Sequence, residues 1–155
     1  FLIGKNPTLI EYTAFFGSIQ IFHYLRFNTE LTSSIWPYAI HGNNPEIIHL
    51  LEENSILPED KTYKTCLEES IKCHHNNIAK YFKENFLKEE IDFYDNFISY
   101  SFRYHNYLLF PDDINQTSVY LYLCKYDYRI IVNLLIKNKL MTGNEKLIFN
   151  FDLLI

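Results

Sequence analysis

The densest group of reactive side chains is the stretch CLEESIKCHH, from Cys66 to His75, with two thiols, two carboxylates and two imidazoles. Zinc takes cysteine sulfur and histidine nitrogen in a tetrahedral shell, so Cys73, His74 and His75 are the candidates for a metal-dependent or cysteine-dependent site. Cys66 and Cys73 are seven residues apart and would share one face of a helix. The short Cys–Cys and His–His spacings of ordinary zinc sites are missing. The expectation is therefore no metal and no cofactor, with the thiols packing as small hydrophobes and the histidines standing in a turn. A thiol nucleophile would need a histidine within hydrogen-bond reach, and Cys73 or Cys124 could meet His41, His49 or His105 in space. Cys124, however, stands where a small residue recurs, which accounts for it without catalysis. No G-x-S-x-G elbow and no H-E-x-x-H motif occurs. Gly4-Lys5 lacks phosphate-loop spacing, and the acidic stretches LKEEIDFYD and FPDDIN read as solvated connections, not calcium loops. The chain is not expected to be an enzyme.

Any such side chains must be held by elements, and the clearest element signal is HGNNPEIIHLLEEN, His41 to Asn54. Gly42, Asn43 and Asn44 tolerate the left-handed angles of a tight reversal. Asn44 suits an N-cap, Pro45 the first helical position, and Glu46 the positive end of the helix dipole. Ile47, Ile48, Leu50 and Leu51 then fall on one helical face. With the apolar SSIWPYAI upstream, this is the elbow of a helical hairpin.

The elbow recurs in TLIEYTAFFGSIQIFHYLRFN, CLEESIKCHHNNIAKYFKEN and VYLYLCKYDYRIIVNLLIKN. Each copy has a small residue in its first helix (Ala14 or Thr13, Ala39, Ser70, Cys124), a polar or glycine turn, and apolar pairs beginning at Ile21, Ile47, Ile78 and Ile131. Asn28, Asn54, Asn85 and Asn138 close the second helices as expected left-handed caps. The separations are 26, 31 and 53 residues, and YDNFISYSFRYHNYLLF fills the long gap, with Leu109 in the equivalent place. Such pairs cannot bury an apolar face alone, so neighbours stack and share one core. Phe15, Phe16, Trp36 and Tyr38 are expected to fill wider gaps.

The run TLIEYTAFFGSIQIFHYL resembles the ankyrin pattern T-P-L-H-x-A-A-x-x-G-x-x-x-I-V-x-L-L, with Thr8, Ala14, Gly17, Ile21 and Leu25 in register, Leu9 in place of the proline and Glu11 in place of the histidine. GNNPEII, SIKCHHNNIAKYF and LYLCKYDYRIIVNLL together resemble a divergent group of ankyrin-associated domains of unknown function, expanded in single-celled parasitic eukaryotes. The resemblance spans Leu2 to about Lys139. It implies an all-α fold of stacked helix-turn-helix repeats, an ankyrin-like solenoid whose short degenerate repeats lack regular β-fingers. Residues 1–139 are expected to form this repeat domain and 140–155 to begin a further, truncated repeat. The tail residues Leu147, Phe149, Phe151 and Leu154 would then lack a stacking neighbour.

The 155 residues include 13 Tyr, 13 Phe, 4 Gly and 5 Pro, too few turn formers for an all-β chain. The net charge of −5 argues against nucleic acid or an anionic membrane surface as the main partner. No apolar run approaches the roughly 20 residues of a membrane span, so no membrane insertion is expected. Three cysteines without disulfide spacing point to an intracellular, cytoplasmic setting. The first residue, Phe1, is no initiator methionine, and a fragment of a longer chain is expected. Asn115 opens an N-x-T triplet of the kind that arises by chance. The tyrosine-rich C-terminal half offers rings for core packing or for a partner's hot spots. The function expected is thus a non-catalytic helical-repeat scaffold with a protein partner. By register with Gly17, the positions just before each elbow are Phe15, His41, Lys72 and Lys125, which are the candidate contact residues.

Overall fold

The computed structural model describes residues 6–87, 93–110 and 117–137. Among these it contains nine α-helices, one 3-10 turn and no strand. The helices are α1 (Leu9–Phe15), α2 (Ile19–Leu25), α3 (Ile35–Gly42), α4 (Pro45–Glu53), α5 (Lys64–Lys72), α6 (Asn76–Phe86), α7 (Phe93–Arg103), α8 (Thr117–Lys125) and α9 (Arg129–Lys137), with the 3-10 turn at Tyr107–Leu109. The chain divides into two compact units, Phe1–Leu109 and Phe110–Ile155. The boundary expected near residue 139, and the tail from Leu147 to Leu154, lie outside the described residues.

In the first unit the helices pair as hairpins: α1 with α2, α3 with α4, α5 with α6, and α7 with the 3-10 turn. The first helices of successive hairpins also pack in order, α1 on α3, α3 on α5 and α5 on α7. The arrangement is a stack of helix-turn-helix repeats. In the second unit α8 pairs with α9.

One backbone device makes every elbow. Gly17, Asn43, His74, His105 and Asp127 all have positive φ, between 49° and 61°. The next amide reaches five residues back at four of them: Ser18 to Thr13 O, His75 to Ser70 O, Asn106 to Ser101 O and Tyr128 to Leu123 O, at 2.8–2.9 Å. The left-handed residue itself donates three residues back in all five. This double bond pattern ends a helix by satisfying its orphan carbonyls. The five elbows are 26, 31, 31 and 22 residues apart, as the apolar pairs predicted.

The register corrects several expectations. The small-residue position is Thr13, Ala39, Ser70, Ser101 and Leu123. Cys124 is therefore one residue out of register; it is exposed, and buried Leu123 fills the place. Ile47, Ile48, Leu50 and Leu51 are buried as expected, but Ile21 (53% exposed) and Tyr24 are not. The main packing partners of α2 are α1 and α4, and it is anchored by buried Phe22 with partly buried Ile19 and Leu25 packed against the same core. Leu134 of α9 is likewise exposed, and Leu135 is buried instead. Trp36 and Tyr38 do fill the core, whereas Phe16 lies exposed. The indole of Trp36 donates to Ile56 O at 2.9 Å and meets Tyr63 and Phe82 edge-on, which fixes the connection between α4 and α5.

The terminal asparagines also work differently from expectation. Asn28, Asn54 and Asn85 are not left-handed. Each turns its side-chain amide onto the carbonyl four residues back: Tyr24 O at 3.5 Å, Leu50 O at 2.6 Å and Tyr81 O at 2.8 Å. Asn138 lies outside the described residues.

Candidate functional site

In the first unit, three elbows are tied to the preceding repeat by the side chain just after the left-handed residue. Asn44 Nδ2 donates to Gly17 O at 3.0 Å, His75 Nε2 to His41 O at 3.3 Å and Asn106 Nδ2 to Ile71 O at 3.0 Å. Asn44 does a second job: its Oδ1 accepts Glu46 N at 3.0 Å and caps α4. In the other direction, His74 Nε2 donates to Tyr104 O at 3.1 Å. His74 and His75 thus reach to opposite neighbours, and Cys73, His74 and His75 do not converge as a metal site.

What converges is a different set. His41, near the end of α3, brings Nε2 to 2.7 Å from Glu69 Oε1 and 3.3 Å from Cys73 Sγ. Glu69 and Cys73 are four apart at the end of α5, so they share a face. Lys72 Nζ holds both Glu69 oxygens, at 3.0 and 3.1 Å. The Phe15 ring stacks on the His41 imidazole, with centroids 5.5 Å apart. His41, Glu69 and Cys73 are all half-buried. They are the only His, Cys, Asp or Glu group among the described residues with three ligand atoms within 4.8 Å of one another.

The electrostatics follow from these contacts. Hydrogen bonds to Cys73 and to Glu69 push His41 up to about 9, against partial burial. His41 and Lys72 in turn hold the Glu69 carboxyl below its usual range. Burial lowers His75 and pushes the Cys66 thiol well up, leaving it a buried, inert packing group.

A cysteine–histidine relay needs one imidazole nitrogen to take the thiol proton while an acid holds the other. Here Glu69 and Cys73 both contact Nε2. The nitrogen that would serve as base is already engaged by a carboxylate. His49 and His105, the other histidines weighed for a thiol pair, are placed elsewhere: His49 pairs with Glu52 at 3.2 Å and His105 forms an elbow.

The four candidate contact positions follow the elbow register, two residues before each left-handed residue. Phe15 and His41 are half-buried and stacked together; Lys72 and Lys125 are exposed. Lys125 belongs to the second compact unit and is placed beside Tyr126, its ammonium 5.4 Å from the ring centre. The same register assigns Arg103, which the sequence analysis did not single out. Counting back six from Leu109, as Lys72 stands six before Ile78, would have found it. Arg103 Nη1 lies 3.2 Å from Glu68 Oε1, and Tyr104 donates to the same oxygen at 2.6 Å. The adjacent glutamates of α5 therefore face opposite repeats, Glu69 toward His41 and Glu68 toward Arg103. Glu69 was visible within CLEESIKCHH, but its partner lies 28 residues away, a distance local spacing cannot bridge.

Fold and elbow geometry define a stacked helical-repeat protein. The family model described as a domain of unknown function, DUF3447, matches residues 27–111, more than half of the chain, and the chain belongs to that family. The match holds His41, Glu69, Lys72, Cys73 and Arg103; Phe15 and Lys125 fall outside it. No curated protein and no solved structure matches. Among the described residues no helix is long and apolar enough to cross a membrane.

Proposed function

We propose that the chain is a non-catalytic, ankyrin-like repeat scaffold that binds a protein partner along the row Phe15, His41, Lys72 and Arg103. The observation that carries this reading is the elbow register. A constant backbone device sets each of these positions two residues before a left-handed residue, while the side chain varies from ring to imidazole to ammonium to guanidinium. Surface chemistry can change there without disturbing the core beneath, which is how solenoids present partner-specific faces. Lys72 and Arg103 are exposed and each pairs with a glutamate of α5. Such exposed pairs are worth only about 0–1 kcal/mol, so a partner carboxylate can displace them cheaply. The acidic net charge disfavours nucleic acid as the partner. The shared Nε2 contacts of Glu69 and Cys73 support a non-enzymatic reading. The reading extends to Lys125 in the second unit by register alone.

The test is site-specific photo-crosslinking in cells that express the chain. A photoreactive residue is placed at Lys72, at Arg103, and, as a control, at exposed Glu84 of α6. Crosslinks to one common protein from Lys72 and Arg103 but not Glu84 support the row. Equal crosslinking from Glu84, or none from the row, rejects it.

A further inference from the structure

We infer that His41 Nε2, Glu69 Oε1 and Cys73 Sγ together form a zinc-binding site that clamps the second repeat to the third. It goes beyond the partner-binding reading and does not depend on it.

The three ligand atoms come from two adjacent repeats and lie within 4.8 Å of one another, with Nε2 2.7 Å from Glu69 Oε1 and 3.3 Å from Cys73 Sγ. Around a tetrahedral zinc ion, with bonds of about 2.0–2.3 Å, neighbouring ligand atoms sit roughly 3.3–3.6 Å apart. The observed set needs to open by only about half an ångström at the carboxylate and less at the sulfur. Glu69 and Cys73, four apart on one helix, match the spacing at which helical residues grip one ion. One imidazole, one thiolate and one carboxylate form a mixed soft and borderline donor set, which selects zinc over magnesium or calcium. The three protein ligands leave a fourth position for water.

The supports of the site are built in. The Phe15 ring stacks on the imidazole. The backbone of His41 is held by the His75 bond to its carbonyl. Cys73 caps α5, its amide bonded to Glu69 O at 2.9 Å. Outer supports of this kind orient metal ligands. One group opposes the ion. Lys72 occupies both Glu69 oxygens, and because it is exposed it can swing into solvent on its flexible stem. Zinc and the Lys72 ammonium therefore compete for one carboxylate.

The experiment uses metal-free, reduced full chain titrated with cobalt(II) and then zinc. The expected result is one equivalent of cobalt, with the sulfur-to-cobalt charge-transfer absorption of a thiolate-bound ion, displaced by zinc. Cys73→Ser should abolish that absorption, while Cys124→Ser keeps it. His41→Gln and Glu69→Gln should each weaken binding at least about 10–100-fold, the cost of losing even a supporting partner of a ligand. Lys72→Met, which keeps all three ligands, should tighten it. Zinc should raise the melting temperature of the wild type and not of Cys73→Ser. Absence of the charge-transfer absorption in the wild type, its survival in Cys73→Ser, or unchanged affinity in Lys72→Met would overturn the site.

Discussion

Gly17 and Gly42 face each other across the first two elbows, and they are needed for different reasons. Gly17 has φ of 61°, which strains a side chain by about 1–2 kcal/mol, and a Cβ there would also press on Gly42 O at 2.9 Å. A Cβ at Gly42 would overlap the carbonyl oxygen of Ala14, backbone that cannot step aside without parting α1 from α3. Gly42→Ala should therefore destabilise more than Gly17→Ala in chemical denaturation; the reverse order would mean that the helices separate freely. Asp127, an exposed elbow residue with φ of 56°, should behave oppositely. Asp127→Gly should stabilise the second unit by about 0.5–1 kcal/mol, read from its unfolding midpoint. Glu11 supplies a pH prediction. It is only 6% exposed. It accepts from Thr8 N and Thr8 Oγ1 in a capping box and from Ser34 Oγ at 2.6 Å. Burial raises its carboxyl, but those hydrogen bonds outweigh it and the carboxyl ends below its usual 4.5. A folded-state value below the unfolded one adds stability above the unfolded value and loses it as pH falls through the folded one. Stability should therefore drop on acidification below about 4.5. Glu11→Gln, which removes the titration, should flatten that limb; an unchanged limb would show that Glu11 contributes nothing to it. The box was readable in the sequence as Thr8-x-x-Glu11, but the third bond, from Ser34, joins residues 23 apart and has no local signature.

At the scale of the helix, α4 is the element that its sequence specified most completely. Its cap, its proline, its acidic first turn and its apolar face all appear as expected, because each depends on neighbours within a few residues. Leu51, fully buried, should lose about 2–5 kcal/mol on Leu51→Ala. Ile21→Ala, at a position 53% exposed, should lose no more than about 0.5 kcal/mol. Equal costs would mean that the buried face is misassigned. Asn44 carries both the cap and the bond to Gly17 O, and substitutions can separate the two. Asn44→Asp keeps an acceptor for Glu46 N but removes the donor, whereas Asn44→Ala removes both. The alanine variant should cost about 0.5–2 kcal/mol more than the aspartate variant, the worth of a cap. If the two lose equally, the cap is not contributing. The ends of the second helices were less legible. The recurring asparagines mark real helix ends, but whether such a residue caps by a left-handed backbone or by its side chain depends on how the chain leaves the helix, which type and position alone do not state.

The repeat order was legible at the scale of the whole molecule, for a physical reason. A stack repeats its turn chemistry and apolar pairs wherever it repeats its fold, and the five left-handed residues fall at the spacings that those pairs gave. Cys73 with His41 was one of several thiol–histidine pairs the sequence left open, but neither the choice among them nor the part of Glu69 was legible, because stacking brings together residues whose separation depends on the lengths of every connection between them. The ties from Asn44 to Gly17, His75 to His41 and Asn106 to Ile71 have a mechanical consequence. They lie in series along the first unit, each joining only nearest neighbours. Pulled from its ends in an optical trap, that unit should not rupture at once. It should peel, one repeat per event, each release adding about 9–11 nm of chain for a 26–31-residue repeat at roughly 3.5 Å per residue. His75→Ala should lower the force of one event and leave the others in place, whereas a single rupture spanning the unit would mean that the ties act in parallel. A chain built this way would yield to load like a ratchet let out tooth by tooth, keeping the repeats that have not yet opened folded and able to close again behind it.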